Sequence, residues 1–463
     1  MTRASTVGEL RASGYRAKSV KQELRDNLIA RLKSGGPLFA GIVGFEETVV
    51  PQIENAILSG QDIVFLGERG QAKTRMARLL VGLLDDEVPA LAGCEINDDP
   101  FAPICHACRL RLAEKGDAAE VVWVPRDRRY GEKLATPDIT IADLIGEVDP
   151  IKVAEGRYLS DELTIHYGLL PRTNRGIFVI NELPDLAERI QVGLLNIMEE
   201  RDVQIRGYKV RLPLDLYVVA SANPEDYTNR GRIITPLKDR FGSQIRTHYP
   251  RRLDDEITIM EAERTSFPAD GFRVASPEYM KQVVAELTHL ARKSPEISQR
   301  SGVSVRVSIC NYENLMSNAL KRAIRLGERD VAPRVSDLGA IVASTSGKIE
   351  LETLGEGGEE KVLGRLVQRA VLNVFNKRFS AGELDEVVAA FQNGLNVTVS
   401  DAMPSAEYVS QLGALRPLKA AVKKLGAEDP ASMAAALEFV LEGLHLSRKL
   451  NKDVQAGQSR YRV

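Results

Sequence analysis

Ile63-Val64-Phe65-Leu66-Gly67-Glu68-Arg69-Gly70-Gln71-Ala72-Lys73-Thr74 is the stretch from which the rest of the chain can be organised. Four apolar residues predict a short buried strand, and a turn punctuated by Gly67 and Gly70 follows. Lys73-Thr74 then opens an amphipathic helical pattern, Arg75-Met76-Ala77-Arg78-Leu79-Leu80. Strand, glycine turn, Lys-Thr and helix form a phosphate-cradling P-loop, in which turn N–H groups and the positive end of the helix dipole face anionic oxygens. Residues 67–74 (Gly67, Glu68, Arg69, Gly70, Gln71, Ala72, Lys73 and Thr74) are therefore the candidate nucleotide-binding loop. Lys73 is placed to reach the β- and γ-phosphates, and the Thr74 hydroxyl to ligate Mg²⁺. Ala72 stands where the pattern G-x-x-x-x-G-K-[ST] has glycine. A methyl group there is tolerated at negative φ and costly at positive φ. The competing reading is an ordinary strand-to-helix turn with a fortuitous Lys-Thr pair.

The chain has 463 residues, enough for two to four domains, with 44% hydrophobic and 27% charged residues, as in ordinary soluble globular proteins. A net charge of −2 gives no global basic character, so nucleic acid is not an expected partner. No apolar run reaches the ~20 residues that a membrane span needs, and the N-terminus has no apolar signal region. A cytoplasmic location is the default expectation. Four cysteines in a chain of this length do not make a disulfide framework.

Residues 1–36 read as a locally basic helical arm, with helical spacing from Val20 to Leu32, fitting a solvated face or a docking arm. Ser34-Gly35-Gly36-Pro37 breaks the pattern, and residues 37–250 read as the nucleotide-binding domain. Within it, residues 90–120 form an insertion holding Cys94, Cys105 and Cys108, whose C-x₁₀-C-x₂-C spacing admits a structural Zn²⁺. His106 is a poor fourth ligand because it shares the tight C-x-x-C turn, and partly buried free thiols are the alternative.

Ile177-Phe178-Val179-Ile180 is a second buried run, ending in Asn181-Glu182. An apolar strand that terminates in this way is the Walker B pattern. Asn181 holds the Mg²⁺-orienting position without a charge, and Glu182 is the candidate base that polarises the attacking water. A dipole-favoured acid at a helix start is the alternative for Glu182. Residues 203–212 alternate around Gly207 as a hairpin, and Leu216 to Ala222 is a third buried strand that stops at Asn223-Pro224. Residues 251–345 and 346–463 are predominantly helical in pattern. The expected class is thus α/β, a parallel sheet with flanking helices, plus an α-helical lid and a helical C-terminal region.

The order of these pieces resembles the AAA+ ATPases, and among them the magnesium chelatase ATPase subunit and MoxR group. The stretches that carry the resemblance are Gly67–Thr74, Gly168–Glu182, Leu194–Arg201, Ser221–Pro224 and Leu237–Phe241, spread over residues 38–325. It implies an AAA+ P-loop NTPase core that uses ATP and Mg²⁺. It implies that Asn223 acts as sensor 1, Arg240 as an arginine finger reaching a neighbouring subunit's nucleotide, and Arg306 as a sensor 2 arginine. Read without it, Asn223 would be an Asx-turn and the two arginines surface ion pairs. The resemblance also implies a homo-oligomeric, hexameric ring and a partner protein with a von Willebrand A-type domain. The expected activity is ATP hydrolysis coupled to remodelling of a partner, in the manner of metal insertion or cofactor-site assembly. A nucleotide-dependent scaffold that barely hydrolyses, and a DNA-associated AAA+ protein, are the alternatives.

Overall fold

A computed structural model describes residues 3–149, 151, 162–200, 212–223, 231–267, 270–298, 302–352, 358–414, 416–455 and 457–463. The chain forms two compact units, Met1–His248 and Tyr249–Val463. The hairpin expected at 203–212, with Arg206 and Lys209, lies almost wholly outside the described residues, as does Pro224.

The first unit is built on five parallel strands: β1 (Ile63–Leu66), β2 (Tyr130–Leu134), β3 (Gly176–Asn181), β4 (Leu216–Ala222) and β5 (Ser243–Arg246). Their spatial order is β2-β3-β4-β1-β5, which puts the P-loop strand inside the sheet. Strand side chains alternate between faces, and here the two faces feed two separate cores. Ile63, Phe65, Ile177, Val179, Tyr217 and Val219 pack on one side with Leu24, Leu28, Ile53, Met76 and Leu80. Val64, Phe178, Ile180, Val218 and Ala220 pack on the other with Leu170, Leu183, Ile190 and Leu194. Burial on both faces is why these strands read as continuous apolar runs. The expected class, an α/β parallel sheet flanked by helices with a helix-rich C-terminal region, is the observed one.

The N-terminal segment is not a solvated face. Helix Val20–Lys33 inserts Leu24 and Leu28 into the core, and its Glu23 pairs with Arg129 at 2.5 and 2.8 Å. Arg129 is 1% exposed and also donates to the Arg175 carbonyl at 2.7 Å, so every charge taken from water there is hydrogen-bonded. Glu87–Leu91 and Val121–Pro125 form a separate antiparallel ribbon, so the strand expected at 121–124 lies outside the main sheet.

In the second unit the helices expected as a lid and those expected to follow it share one core, running from Ile257 to Tyr461. Its central helix, Pro430–Leu446, is buried nearly all round. Residues 346–463 are not wholly helical: Val397–Ser400, Gln458–Arg462 and Asn451–Gln455 form an antiparallel sheet. The last two segments, Gln-Ser-Arg-Tyr-Arg and Asn-Lys-Asp-Val-Gln, hold too few apolar residues to show alternation. No helix among the described residues is long and apolar enough to cross a membrane.

Candidate functional site

The carboxyl ends of β1, β3 and β4 converge on one patch. Parallel pairing sets Leu66 beside Ala222 and Ile180 beside Ala220, so the residues that follow these strands meet there. Gly67 leaves β1 where no side chain fits, because a Cβ would lie 2.0 Å from Thr247 Oγ1 and 2.2 Å from Gln71 Oε1. Gln71 is itself fixed by the Thr247 hydroxyl, which donates to its Oε1 at 2.6 Å. Gly70 then turns through φ 77° and Ala72 through φ 55°. Ala72 therefore occupies the costly left-handed conformation, the case in which glycine would be preferred. The helix Lys73–Leu79 starts immediately after it.

Lys73 is 7% exposed, and its ammonium donates to Gly67 O at 2.5 Å, Glu68 O at 2.8 Å and Asn223 Oδ1 at 2.7 Å. The other end of the Asn223 amide donates to Glu182 Oε2 at 2.7 Å. One amide thus links the P-loop lysine to the candidate base, with its orientation set because an ammonium only donates and a carboxylate only accepts. Glu182 has φ 55° and its backbone N–H donates to Ser221 Oγ at 3.2 Å. A bulky residue held in this sparsely populated region is a mark shared with many functional sites.

Thr74 Oγ1 donates to Asn181 Oδ1 at 3.0 Å, and Ser221 Oγ donates to the same oxygen at 3.1 Å. Asn181 Nδ2 donates to Glu132 Oε1 at 2.8 Å. Glu132 is on β2, where sequence reading found neither a strand nor a site residue. Arg78 clamps its carboxylate at 2.7 and 2.8 Å, and Tyr130 Oη donates to it at 2.8 Å. The Arg78 hydrogen bonds are the main reason its carboxyl is held below the usual carboxylate range. Asn181 is neutral, but its amide hydrogen-bonds a permanent carboxylate. Thr74, Asn181 and Glu132 together offer the oxygen donors that a hard divalent cation takes.

Gly67–Thr74, Asn181, Glu182 and Asn223 are therefore brought together, along with Glu132, Ser221 and Thr247, which sequence reading had not assigned to the site. Ser221 was within reach, since it precedes Ala222-Asn223 at a strand end. Arg240 is elsewhere in its pairing: it is exposed and ion-paired with Glu199 and, at 3.4 Å, Asp239. Arg306 belongs to the second unit, where it is exposed at the start of Val305–Leu326 and its N–H donates to Ser304 Oγ at 3.1 Å. A cavity of about 510 Å³ at the opposite, amino ends of the strands is lined by Ser19, Lys21, Asn174, Arg175 and Asp215, and contains none of these residues.

The cysteines of the insertion also meet. Sulfurs of Cys94, Cys105 and Cys108 and a carboxylate oxygen of Asp98 all lie within 4.8 Å of one another. Hydrogen bonds from the Cys105 and Cys108 thiols push the Cys94 thiol down to about 3, while its neighbours push Cys105 up. His106 is outside the cluster, at the first position of helix His106–Lys115.

No protein-family model matches the chain. The uncharacterised protein YeaC of Bacillus subtilis (strain 168) is 23% identical over 203 residues, which are 40% of this chain and 59% of that protein. The acetoin dehydrogenase operon transcriptional activator AcoR of the same organism is 24% identical over 173 residues, 37% of this chain and 28% of that protein. The chain thus matches less than two thirds of either relative. Among solved structures, the magnesium chelatase BchI–BchD complex aligns over 70% of this chain and 97% of that chain, at 20% identity and a TM-score of 0.36. NtrX of Brucella abortus in complex with ADP aligns over 86% of this chain and 72% of that chain, at 15% identity and a TM-score of 0.41. Strand order, the turn after β1 and the polar ends of β3 and β4 themselves describe the fold: an α/β core with a parallel sheet, flanking helices and a P-loop-like turn at the end of an inner strand.

Proposed function

We propose that this chain binds ATP at residues 67–74 and hydrolyses it, as an AAA+ ATPase. The observation that carries the reading is the Lys73–Asn223–Glu182 chain of hydrogen bonds, which joins a phosphate-binding cation to a carboxylate through one fixed amide. Exchanging the Gly67 and Glu68 carbonyls for phosphate oxygens would place the γ-phosphate beside Asn223. Glu182 then accepts a proton from the attacking water as its oxygen bonds to the γ-phosphorus and the bond to the bridging oxygen breaks. Thr74 would hold Mg²⁺, with Asn181 positioning a bound water and Glu132 adding charge behind it; the ion supplies neutralisation of the phosphate oxygens.

In this reading Arg240 exchanges Glu199 for a neighbouring subunit's nucleotide, so hydrolysis requires a ring, taken as six subunits from the resemblance. Arg306 is assigned the sensor 2 role from the resemblance alone. The work done is remodelling of a partner protein, of the magnesium chelatase or MoxR kind, with a von Willebrand A-type domain as the expected partner module. A second reading, a nucleotide-dependent scaffold with little turnover, is favoured by one observation: Asn181 brings no charge, and the nearest carboxylate is already clamped by Arg78.

Steady-state hydrolysis by the full chain, measured with nucleotide binding and particle mass, tests both. Glu182→Gln is expected to lower the rate by about 10²–10⁴-fold while ATP still binds, and Lys73→Ala to abolish binding as well. Arg240→Ala is expected to abolish turnover and regain it when mixed with Lys73→Ala subunits that retain Arg240. Full turnover in Glu182→Gln would remove Glu182 as the base. Binding and assembly with no turnover in the wild type would favour the scaffold.

A further inference from the structure

We propose that Cys94, Asp98, Cys105 and Cys108 form a Zn²⁺ site that fastens the insertion to the parallel sheet. The inference does not rest on the nucleotide reading. It begins with Asp98, which is 0% exposed. Its Oδ2 accepts the Cys105 N–H at 3.0 Å, but Oδ1 is buried with no hydrogen-bond partner among the described residues. A buried carboxylate oxygen without a donor is costly, and a cation is what satisfies it. The same residue supplies the fourth ligand that sequence spacing alone had not located.

The sulfurs are prepared in the way thiolates require. Cys94 Sγ accepts the Ile96 and Asp98 N–H groups at 3.4 and 3.3 Å, and Cys105 Sγ accepts that of Cys108 at 3.4 Å. Arg111 Nη1 lies 3.9 Å from Cys108 Sγ. Three thiolates and a carboxylate leave a negative charge around a divalent ion, and these donors offset it from outside the coordination shell. Thiolate-rich four-ligand sites select zinc over the oxygen-preferring cations. A tetrahedral ion about 2.3 Å from sulfur sets its ligand atoms roughly 3.8 Å apart, so the observed spread of up to 4.8 Å closes by about 1 Å on binding.

The surroundings give the site its purpose. Between Cys94 and Cys105 the chain has almost no regular structure, yet it is tied to the residues entering β3. Asn174 Nδ2 donates to Ile96 O at 3.0 Å, and Arg175 Nη1 donates to Pro89 O at 2.7 Å and Asn97 O at 3.4 Å. Asn174 and Arg175 immediately precede β3, the strand that ends in Asn181. A metal that rigidifies the loop thereby anchors the start of that strand.

The test uses the full chain, purified under reducing conditions, with elemental analysis followed by replacement of the metal with Co²⁺. About one zinc per chain is expected, and Co²⁺ should give a thiolate charge-transfer band with intense tetrahedral ligand-field bands. Asp98→Asn should shift the ligand-field bands and weaken metal affinity by at least the roughly 10–100-fold that loss of an outer-shell partner costs. Absence of zinc, with no cobalt charge-transfer band from reduced protein, would overturn the site. Alkylation showing two of the three cysteines joined as a disulfide in metal-free protein would overturn it equally. Unmoved ligand-field bands in Asp98→Asn would overturn the assignment of the fourth ligand. The wild-type cobalt spectrum decides the matter even if Cys105→Ser fails to fold.

Discussion

Lys73 in the first unit is a buried cation and Arg292 in the second is a half-buried one, and their described partners differ in kind. Lys73 donates to two backbone carbonyls and the Asn223 amide, at a loop that holds Ala72 at positive φ. Arg292 grips the Glu256 carboxylate with two nitrogens, at 2.8 and 3.0 Å, and the Val303 carbonyl with a third, at 2.9 Å. The bidentate guanidinium–carboxylate pair adds geometric specificity as well as energy, which an ammonium on neutral oxygens lacks. The described acceptors of Lys73 carry no net charge, so an anionic phosphate can compete for its ammonium, whereas Glu256 gives Arg292 a full counter-charge. The same arithmetic of burial serves exchange in one place and permanence in the other.

Breaking the permanent cluster should produce the largest effect on folding. Glu256 is 0% exposed and also accepts from Ser308 Oγ at 2.7 Å. Glu256→Ala leaves the half-buried Arg292 without its counter-charge, which costs about 3–5 kcal/mol. Urea unfolding should show this loss in the second unit, while nucleotide binding by the folded protein stays intact. The cluster also sets an acid limit. Burial pushes the Glu256 carboxyl up, but the nearby His289 ring at 3.6 Å and donation from Arg292 and Ser308 outweigh it, and the group stays below its ordinary 4.5. Its stabilisation is therefore present above that value and is lost as pH falls through the lower, folded one. Glu256→Gln should flatten the stability profile in that acid window and nowhere else. An unchanged profile would mean that other carboxylates govern acid unfolding.

Sharpening the comparison at the exchangeable end calls for moving a charge rather than removing one. Asn181→Asp would install the charged residue usual for the Walker B pattern, yet here it would face Glu132 across a 2.8 Å contact. Two carboxylates at that separation share a proton, so the single change is expected to lower hydrolysis, on the order of tenfold. Asn181→Asp with Glu132→Gln exchanges amide and carboxylate and reverses the hydrogen bond between them; it gives up the Arg78 Nη2 bond to Oε1, while Arg78 Nε and Tyr130 Oη still donate to the remaining oxygen. The double variant should recover at least the wild-type rate. If the single variant gained activity, Glu132 would contribute no charge to the site.

Which parts were legible follows from the same distinction. The P-loop, Asn181-Glu182 and Ser221-Ala222-Asn223 stood out because each ends an apolar run buried on both faces, and a polar stop after such a run is visible in one dimension. Glu132 was not legible. Tyr-Gly-Glu-Lys-Leu is an edge strand, half-buried and mostly polar, and its link to Asn181 exists only through β2–β3 pairing. Asp98 was hidden for a related reason: it follows Cys94 by four residues inside an irregular loop, where no period predicts direction. Arg334, 0% exposed and bonded to Met403 O and Ser405 Oγ at 2.8 and 2.9 Å, is the extreme case. Those two acceptors lie about seventy residues away, and nothing in its sequence neighbourhood separates it from a surface arginine.

The smallest effect is expected at Ala72, and it tests whether the strain of the exchangeable site is functional or incidental. At φ 55° and ψ 16° the Cβ of Ala72 crowds its own backbone. A non-glycine residue there costs about 1–2 kcal/mol, partly offset by the smaller entropy that alanine loses on folding. Ala72→Gly should therefore stabilise the first unit by about 0.5–1 kcal/mol, read as a rise in its thermal midpoint. Because φ at this position already suits glycine, the loop need not move and nucleotide affinity should hold. A stabilised protein with unchanged turnover would make Ala72 a tolerated departure from the P-loop pattern. A stabilised protein that hydrolyses more slowly would instead tie the strain to the cycle, as expected if residue 72 relaxes when phosphate replaces the carbonyls around Lys73.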